Sequence, residues 1–422
     1  MIYNVLDYSG LGSGDDTQAI QKAIDTAYAN NGGVVYLPSG EYVSGTIFLK
    51  SNVSLHIEIG AILKASPNLQ DYHQMTMGHN KDRQPFHLIV AKNQENIGIC
   101  GKGIINGNDM AFWNERENDV TDPNAHNWFK HKNQRVSPLI EIIGCKNIKI
   151  ENITIQNSPG WTCHFHDCDN LSVNSISIFN SVWGPNTDGL DINGCHDVFI
   201  HNCHIITGDD AIVLKTTPDS RTCERIIISD CILQTNCVAL KLGATESYHD
   251  MKDILFQNCI IKESNRGIGL YNFNGGNYSN VQFSNIICNT MNGMVQNRPI
   301  HFDLRKNKEG IGGSIKNVSI TNFKCVTSGR NIISAEEGLI ISDITLKNLS
   351  VEYKFIEDPI KNENNLNSGK GTFSNNNSWA RKACAALVID NARNVQIENF
   401  NTNIEKFDLD FDFAEVASNK RK

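Results

Sequence analysis

Short runs in which apolar and polar residues alternate dominate the chain, and they recur at a near-constant interval. An Asn or Asp, with Arg in one copy, opens each run: Asn147-Ile148-Lys149-Ile150, Asn170-Leu171-Ser172-Val173, Asp197-Val198-Phe199-Ile200, Arg225-Ile226-Ile227-Ile228, Asp253-Ile254-Leu255-Phe256 and Asn280-Val281-Gln282-Phe283. Further copies stand at Asn96-Ile97, Asn317-Val318, Asp343-Ile344 and Asn394-Val395. The apolar anchors at 148, 171, 198, 226, 254 and 281 are spaced 23, 27, 28, 28 and 27 residues, and the steps from 97 to 148 and from 344 to 395 are 51, two intervals each. A fixed period of this size marks stacked supersecondary units. Alternation at period two in short β-branched runs makes the units strands. No helical stretch long enough for a crossover separates them, so βαβ units are excluded and a parallel β-helix remains.

Cysteine spacing repeats the pattern. Cys145, Cys168, Cys195 and Cys223 are 23, 27 and 28 apart, and Cys203, Cys231, Cys259 and Cys288 are 28, 28 and 29 apart. These predict two interior ladders of small apolar side chains, while Asn202, Asp230 and Asn258 predict amide bonding along the stack. Residues 16–29 place Ala19, Ile20, Ala23, Ile24 and Ala27 on one helical face, with Asp15, Asp16 or Thr17 as N-cap. That helix, within a cap and first coil over residues 1–50, is expected to cover the N-terminal end of the stack. Phe407, Leu409, Phe411 and Phe413 alternate with Asp and predict a last strand. Residues 106–137 and 357–380 break the repeat and are expected to leave the coil as loops. The whole chain, 1–422, reads as one β-helix domain.

Composition narrows the function. A net charge of −8 without a basic tract argues against nucleic acid or an anionic membrane as partner, and no apolar run is long enough to span a bilayer. No basic-then-apolar leader opens the chain, so the expectation is a cytoplasmic protein, or a secreted or periplasmic one whose leader is absent. Thirteen cysteines, an odd number, favour the reducing compartment. Sugar, linkage and oligomeric state carry no signature here.

The chemistry concentrates at Asn186-Thr187-Asp188-Gly189 and Gly208-Asp209-Asp210. Asp188 and Asp209 are 21 residues apart, close to one repeat, so three carboxylates fall on neighbouring coils. One such motif alone reads as a tight turn. Two of them one coil apart are costly, because stacked carboxylates raise one another's pKa. Such a cluster supplies one protonated and one ionised acid, as glycosidic bond cleavage needs. Binding of calcium and a structural turn are the alternatives. His201-Asn202-Cys203-His204 has metal-ligand residue types, but alternation turns Cys203 away from its neighbours, so no metal site is expected there.

The run Pro185-Asn186-Thr187-Asp188-Gly189-Leu190-Asp191, followed by Thr207-Gly208-Asp209-Asp210-Ala211-Ile212, resembles the first two signature motifs of the polygalacturonases, glycoside hydrolase family 28. The likeness extends through Asp16-Thr17-Gln18-Ala19-Ile20, Gly33-Val34-Val35-Tyr36-Leu37-Pro38-Ser39-Gly40, Ile105-Asn106-Gly107 and Ser158-Pro159-Gly160-Trp161. The resemblance implies a right-handed parallel β-helix, a pectin-like or related plant or algal glycan as substrate, and inverting hydrolysis without a cofactor. By the same resemblance Asp209 is the general acid, and Asp188 and Asp210 position and deprotonate the attacking water.

Two departures stand out. Val238, in Cys237-Val238-Ala239-Leu240-Lys241-Leu242-Gly243, occupies the place of the His in the family's Gly-His-Gly motif. Gly269 and Tyr271, in Arg266-Gly267-Ile268-Gly269-Leu270-Tyr271, occupy those of the cations in its Arg-Ile-Lys motif. A substrate carboxylate would forgo charge-assisted bonds of roughly 1.5–3 kcal/mol each. The expectation is a sugar other than galacturonate on the non-reducing side of the cut, or one bound differently, with Lys215, Lys241 or Arg266 as partial substitutes. Asn186, His164, Trp183 and Tyr271 complete the candidate substrate contacts, and Trp113, Trp128, His126 and His131 are candidates to roof a groove. A reducing location favours exo action on oligosaccharides. The competing classes are a polysaccharide lyase, with calcium and Lys215 or Lys241 as base, and a non-catalytic carbohydrate-binding solenoid.

Overall fold

The computed structural model describes residues 1–11, 14–76, 78–115, 128–291, 297–361 and 378–419. They form two compact units. The first holds the described residues up to Asp209 together with Asp219–Arg221, and the second holds Asp210–Pro218 and the described residues from Thr222 onward. Each unit is a parallel β-helix.

In the first unit a coil consists of three short strands and the bends joining them. Ile140–Ile143, Lys146–Glu151 and Thr154–Gln156 form one coil, and Cys163–His166, Asp169–Asn174 and Ser177–Phe179 form the next. The coils stack in register, with Ile140 on Cys163, Ile148 on Leu171 and Ile155 on Ile178. In the second unit the strands merge into longer ribbons such as Ile232–Ser247 and Ile260–Asn272, and Ile212, Leu240, Ile268 and Ile300 follow one another in register.

The repeated Asn and Asp explain the bends. Asn96, Asn147, Asn170, Asp197, Asp253, Asn280, Asn317, Asp343 and Asn394 all have φ between 52° and 58°, the left-handed region that Asn and Asp tolerate best among L residues. Their side chains then bond coil to coil. In the first unit Asn147 Nδ2 donates to Asn96 Oδ1 at 3.0 Å and Asn170 Nδ2 to Asn147 Oδ1 at 2.8 Å. In the second, Asn258 Nδ2 donates to Asp230 Oδ1 at 3.2 Å and Asn285 Nδ2 to Asn258 Oδ1 at 3.0 Å. The same residue thus makes the turn and ties it to its neighbour. Cysteine lies where the ladder reading puts it: Cys145, Cys168 and Cys195 are buried in the first unit, and Cys231, Cys259 and Cys288 in the second.

The helix α1 spans Thr17–Ala29 and buries Ala19, Ile20, Ala23, Ile24 and Ala27. The N-cap residue is Asp16, and the carboxylate that accepts the Thr17 N–H, at 2.9 Å, is that of the preceding Asp15. The expected strand at 407–413 does not form. The last strand is Ala414–Asn419, which takes the ladder of Ala385–Asp390, and Phe413 packs edge-on against Tyr353 instead. Within 106–137 a hairpin pairs Trp113–Asn114 with Lys130–His131, and 357–380 ends in the helix Ser378–Lys382. His126 lies outside the described residues. Among those residues no helix is long and apolar enough to cross a membrane.

Candidate active site

The Asn186–Gly189 turn sits directly before the strand Leu190–Asn193, in the coil that follows His164. Asn186 takes φ 52°, the same left-handed bend used along the coil. Thr187 Oγ1 accepts the Gly208 N–H at 2.9 Å and donates to the Gly184 carbonyl at 3.0 Å. That bond lays the Gly-Asp-Asp motif against the first motif. Gly208 permits it, because a Cβ there would lie 2.2 Å from the Gly184 carbonyl oxygen. Asn186 Nδ2 then reaches Asp209 Oδ2 at 3.4 Å. Asp188 and Asp209 are therefore drawn to one place in the first unit by backbone and amide bonds of their own motifs.

Their exposure differs. Asp188 is 3% exposed, and Asp209 is half-buried. The Asp188 carbonyl accepts the Thr162 N–H at 2.9 Å. Nearby is Arg135, itself buried, whose guanidinium donates to Asp82 at 3.0 Å. Burial lowers the Arg135 pKa, and the negative charges of Asp82 and Asp188 oppose that fall. Asp188 thus shares the field of a buried cation.

Asp210 follows Asp209 by one peptide bond and belongs to the second unit. It is 2% exposed and forms an ion pair with the buried Lys241 ammonium. Its other oxygen accepts the Val238 N–H at 3.3 Å. Val238 therefore serves Asp210 through its backbone. Lys215 pairs with Glu246 at 3.3 Å. Arg266 is buried deeply, as is its in-register neighbour Arg298. Tyr271 is fully buried, and its hydroxyl lies 3.2 Å from His301 Nδ1. Burial raises the Tyr271 pKa, and burial pushes that of His301 well below its usual range, with Arg298 and Arg266 adding to the fall.

His164 lies in the strand Cys163–His166, with Nδ1 3.0 Å from Glu141 Oε2. Arg83 donates to the same carboxylate through Nε at 3.0 Å. Burial alone would raise the Glu141 pKa, but His164 and Arg83 outweigh it and hold the carboxyl well below its usual range; burial lowers His164 to about 4. Trp183 is half-buried, and its carbonyl accepts the Phe129 N–H at 2.9 Å.

A model of the family described as Glycosyl hydrolases family 28 matches residues 33–372. The chain belongs to that family. Among curated relatives, a probable polygalacturonase of Vitis vinifera is 29% identical over 227 residues, covering 50% of this chain and 44% of that protein. An endo-polygalacturonase of Pectobacterium carotovorum subsp. carotovorum is 30% identical over 210 residues, covering 47% and 51%. The chain therefore spans about half the length of these curated relatives. Among solved structures, an exopolygalacturonase from Thermotoga maritima superposes with a TM-score of 0.70 at 22% identity, covering 84% of this chain and 87% of that one. That likeness establishes the shared fold.

Sequence reasoning singled out Asp188, Asp209, Asp210, Asn186 and Lys241; in the first unit Asn186 reaches Asp209 two residues from Asp188, and in the second Asp210 pairs with Lys241. It missed Arg135 and Glu141, and it named His131 without placing it. Arg135 and His131 carry no periodic mark because the packing of an excursion places them, whereas Glu141 lies in the repeat beside His164 and only its cover by Arg83 escapes the period.

Proposed function

We propose that the protein is an inverting glycoside hydrolase that removes a terminal sugar from a pectin-derived or related glycan oligosaccharide. Asp209, the most exposed of the three acids, donates its proton to the leaving oxygen. Asp188 and Asp210 hold and deprotonate the water. An inverting pair stands roughly 6.5–9.5 Å apart, leaving room for that water.

The observation that carries the hydrolase reading is the joining of the two motifs through Thr187, Gly208 and Asn186. The lyase alternative needs a lysine able to accept a proton. Lys241 is ion-paired to Asp210 and Lys215 to Glu246, so each is engaged by a carboxylate.

Support for exo action comes from the first unit alone. Glu141 and His164 alternate with the inward Ile140 and Cys163, so they belong to the outward row. Both are nevertheless buried. Residues 82–83 and 135–137 meet above this side: Arg83 bonds Glu141, Asp82 bonds Arg135, and Ser137 Oγ donates to the Asp82 carbonyl at 2.6 Å. A polymer cannot run through a covered row, whereas a chain end can stop against it.

The neutral-sugar reading rests on the second unit. Of the three cations offered as substitutes for an Arg and Lys pair, two are engaged in ion pairs and Arg266 is buried to 1% exposure. The test is a panel of pectin-derived oligosaccharides ending in galacturonate or in a neutral sugar. Release of a monosaccharide from neutral-ended members, without loss of viscosity from polygalacturonate, is expected. Rapid depolymerisation of polygalacturonate would overturn both the exo and the neutral-sugar readings.

A further inference from the structure

The hairpin in the 106–137 excursion is anchored where it meets the first motif. Trp113 Nε1 donates to the Pro159 carbonyl at 2.9 Å, and its ring stacks on Phe129 with centroids 5.2 Å apart. The Phe129 N–H donates to the Trp183 carbonyl at 2.9 Å, three residues before Asn186. This fixes the strand Lys130–His131 and sets His131 Nε2 2.9 Å from Asn186 Oδ1. The same Asn186 amide faces Asp209 Oδ2 with its other end, Nδ2, at 3.4 Å.

We propose that His131 is a positioning residue for Asp209, acting by fixing the orientation of the Asn186 side-chain amide. The proposal rests on the reading of Asp209 as the general acid. An Asn amide is nearly symmetric in shape, and its two orientations differ only in which neighbours accept and which donate. With Nδ2 toward Asp209, the carboxylate receives a hydrogen bond at Oδ2. With the amide reversed, Oδ1 would oppose the carboxylate oxygen.

The tautomer of His131 decides between them. Its Nδ1 is buried with no hydrogen-bond partner, while Nε2 faces an oxygen. The neutral ring therefore carries its proton on Nε2 and donates it to Asn186 Oδ1. A proton on Nδ1 would strand a buried donor and set lone pair against lone pair. Full protonation would also strand that donor. In accord with this, burial, helped by the positive charges of Arg135 and Lys81 against that of Asp82, lowers the His131 pKa to about 4. His131 is thus held as a neutral one-sided donor, and the amide has one favoured orientation.

The experiment follows the titration of Asp209 by carbon NMR in protein labelled at the aspartate carboxyl carbons, with the signal assigned by its disappearance in Asp209→Asn. His131→Phe keeps a ring and has no donor, and His131→Gln restores an amide donor. The proposal expects the Asp209 midpoint to rise by about half to one unit in His131→Phe, as a lost hydrogen bond to a carboxylate does, and to return in His131→Gln. It also expects kcat to fall about tenfold with KM within twofold, an order consistent with a perturbed acid. An unchanged midpoint in folded His131→Phe, or a Gln variant that behaves like Phe, overturns it. If His131→Phe fails to fold, His131→Gln decides alone: its midpoint must match the parent protein. The titration does not need turnover, so a shifted midpoint in a protein without glycosidase activity would uphold the positioning and defeat the hydrolase reading instead.

Discussion

Asp210 and Lys241 form the least forgiving contact at the residue scale. Both are buried, each partner's desolvation is offset by the charge of the other, and Asp210 also accepts the Val238 N–H. Removing the lysine strands a carboxylate. Lys241→Met is expected to destabilise the protein by about 3–5 kcal/mol and to abolish turnover. The double variant Lys241→Met with Asp210→Asn should recover much of the stability and none of the activity. Chemical denaturation alongside a rate assay checks this, and a single variant within about 1 kcal/mol of the parent would show that the pair is not the support described. The lysine was legible as a candidate from its place in the Cys237–Gly243 run. Its partner was not, because alternation tells which face a residue takes but not which neighbouring coil its long side chain reaches.

The strand Ile140–Ile143 and the strand Cys163–His166 show how an element becomes a titrating device. Glu141 and His164 stand in register on adjacent coils, and Arg83 closes over them. Because the folded pKa of His164 is lowered to about 4, below the ordinary 6.5, the unfolded chain binds the proton first. Stability is fully present above pH 6.5 and is lost as pH falls from there toward 4. The depressed Glu141 extends the loss to lower pH, since its contribution disappears only as the carboxylate protonates. His87, also lowered by burial, acts in the same direction. The slope due to one such histidine is about 1.4 kcal/mol per pH unit. Trp161, whose ring lies 5.5 Å from that of His164, offers a local fluorescence probe. Denaturation followed there should become easier from pH 6.5 to 4, and His164→Gln should flatten the dependence by about one proton's worth. An equal slope in the variant would contradict the assignment.

Elements differ in how far the sequence discloses them. The coil was legible because one residue type does two jobs: Asn147 or Asn280 supplies the left-handed bend and the amide that ties it to the next coil. The helix Thr17–Ala29 was equally plain from its Ala and Ile stripe. The Phe407–Phe413 alternation misled, since a strand needs a ladder to join and Ala414–Asn419 holds that of Ala385–Asp390. The hairpin of Trp113 and His131 has only two residues per strand, too few for any period, and its place is set by aromatic packing and one indole bond.

At the scale of the whole molecule, the fold is general to the family while the chemistry is local to two turns. A net charge of −8 disfavours a polyanionic substrate at long range, in keeping with the proposed action on the ends of short or partly neutral glycans. The central claim is that Asp209 protonates the leaving group while water, held by Asp188 and Asp210, attacks the opposite face of the sugar. Proton NMR of the first product formed from a cleaved oligosaccharide tests it most directly. The account predicts that the new reducing end appears in the anomeric form opposite to that of the bond broken, and that Asp209→Asn slows its appearance by about a thousandfold, within the range ascribed to general acid catalysis. A retained anomer, an unsaturated product, or an unimpaired Asp209→Asn variant would contradict it.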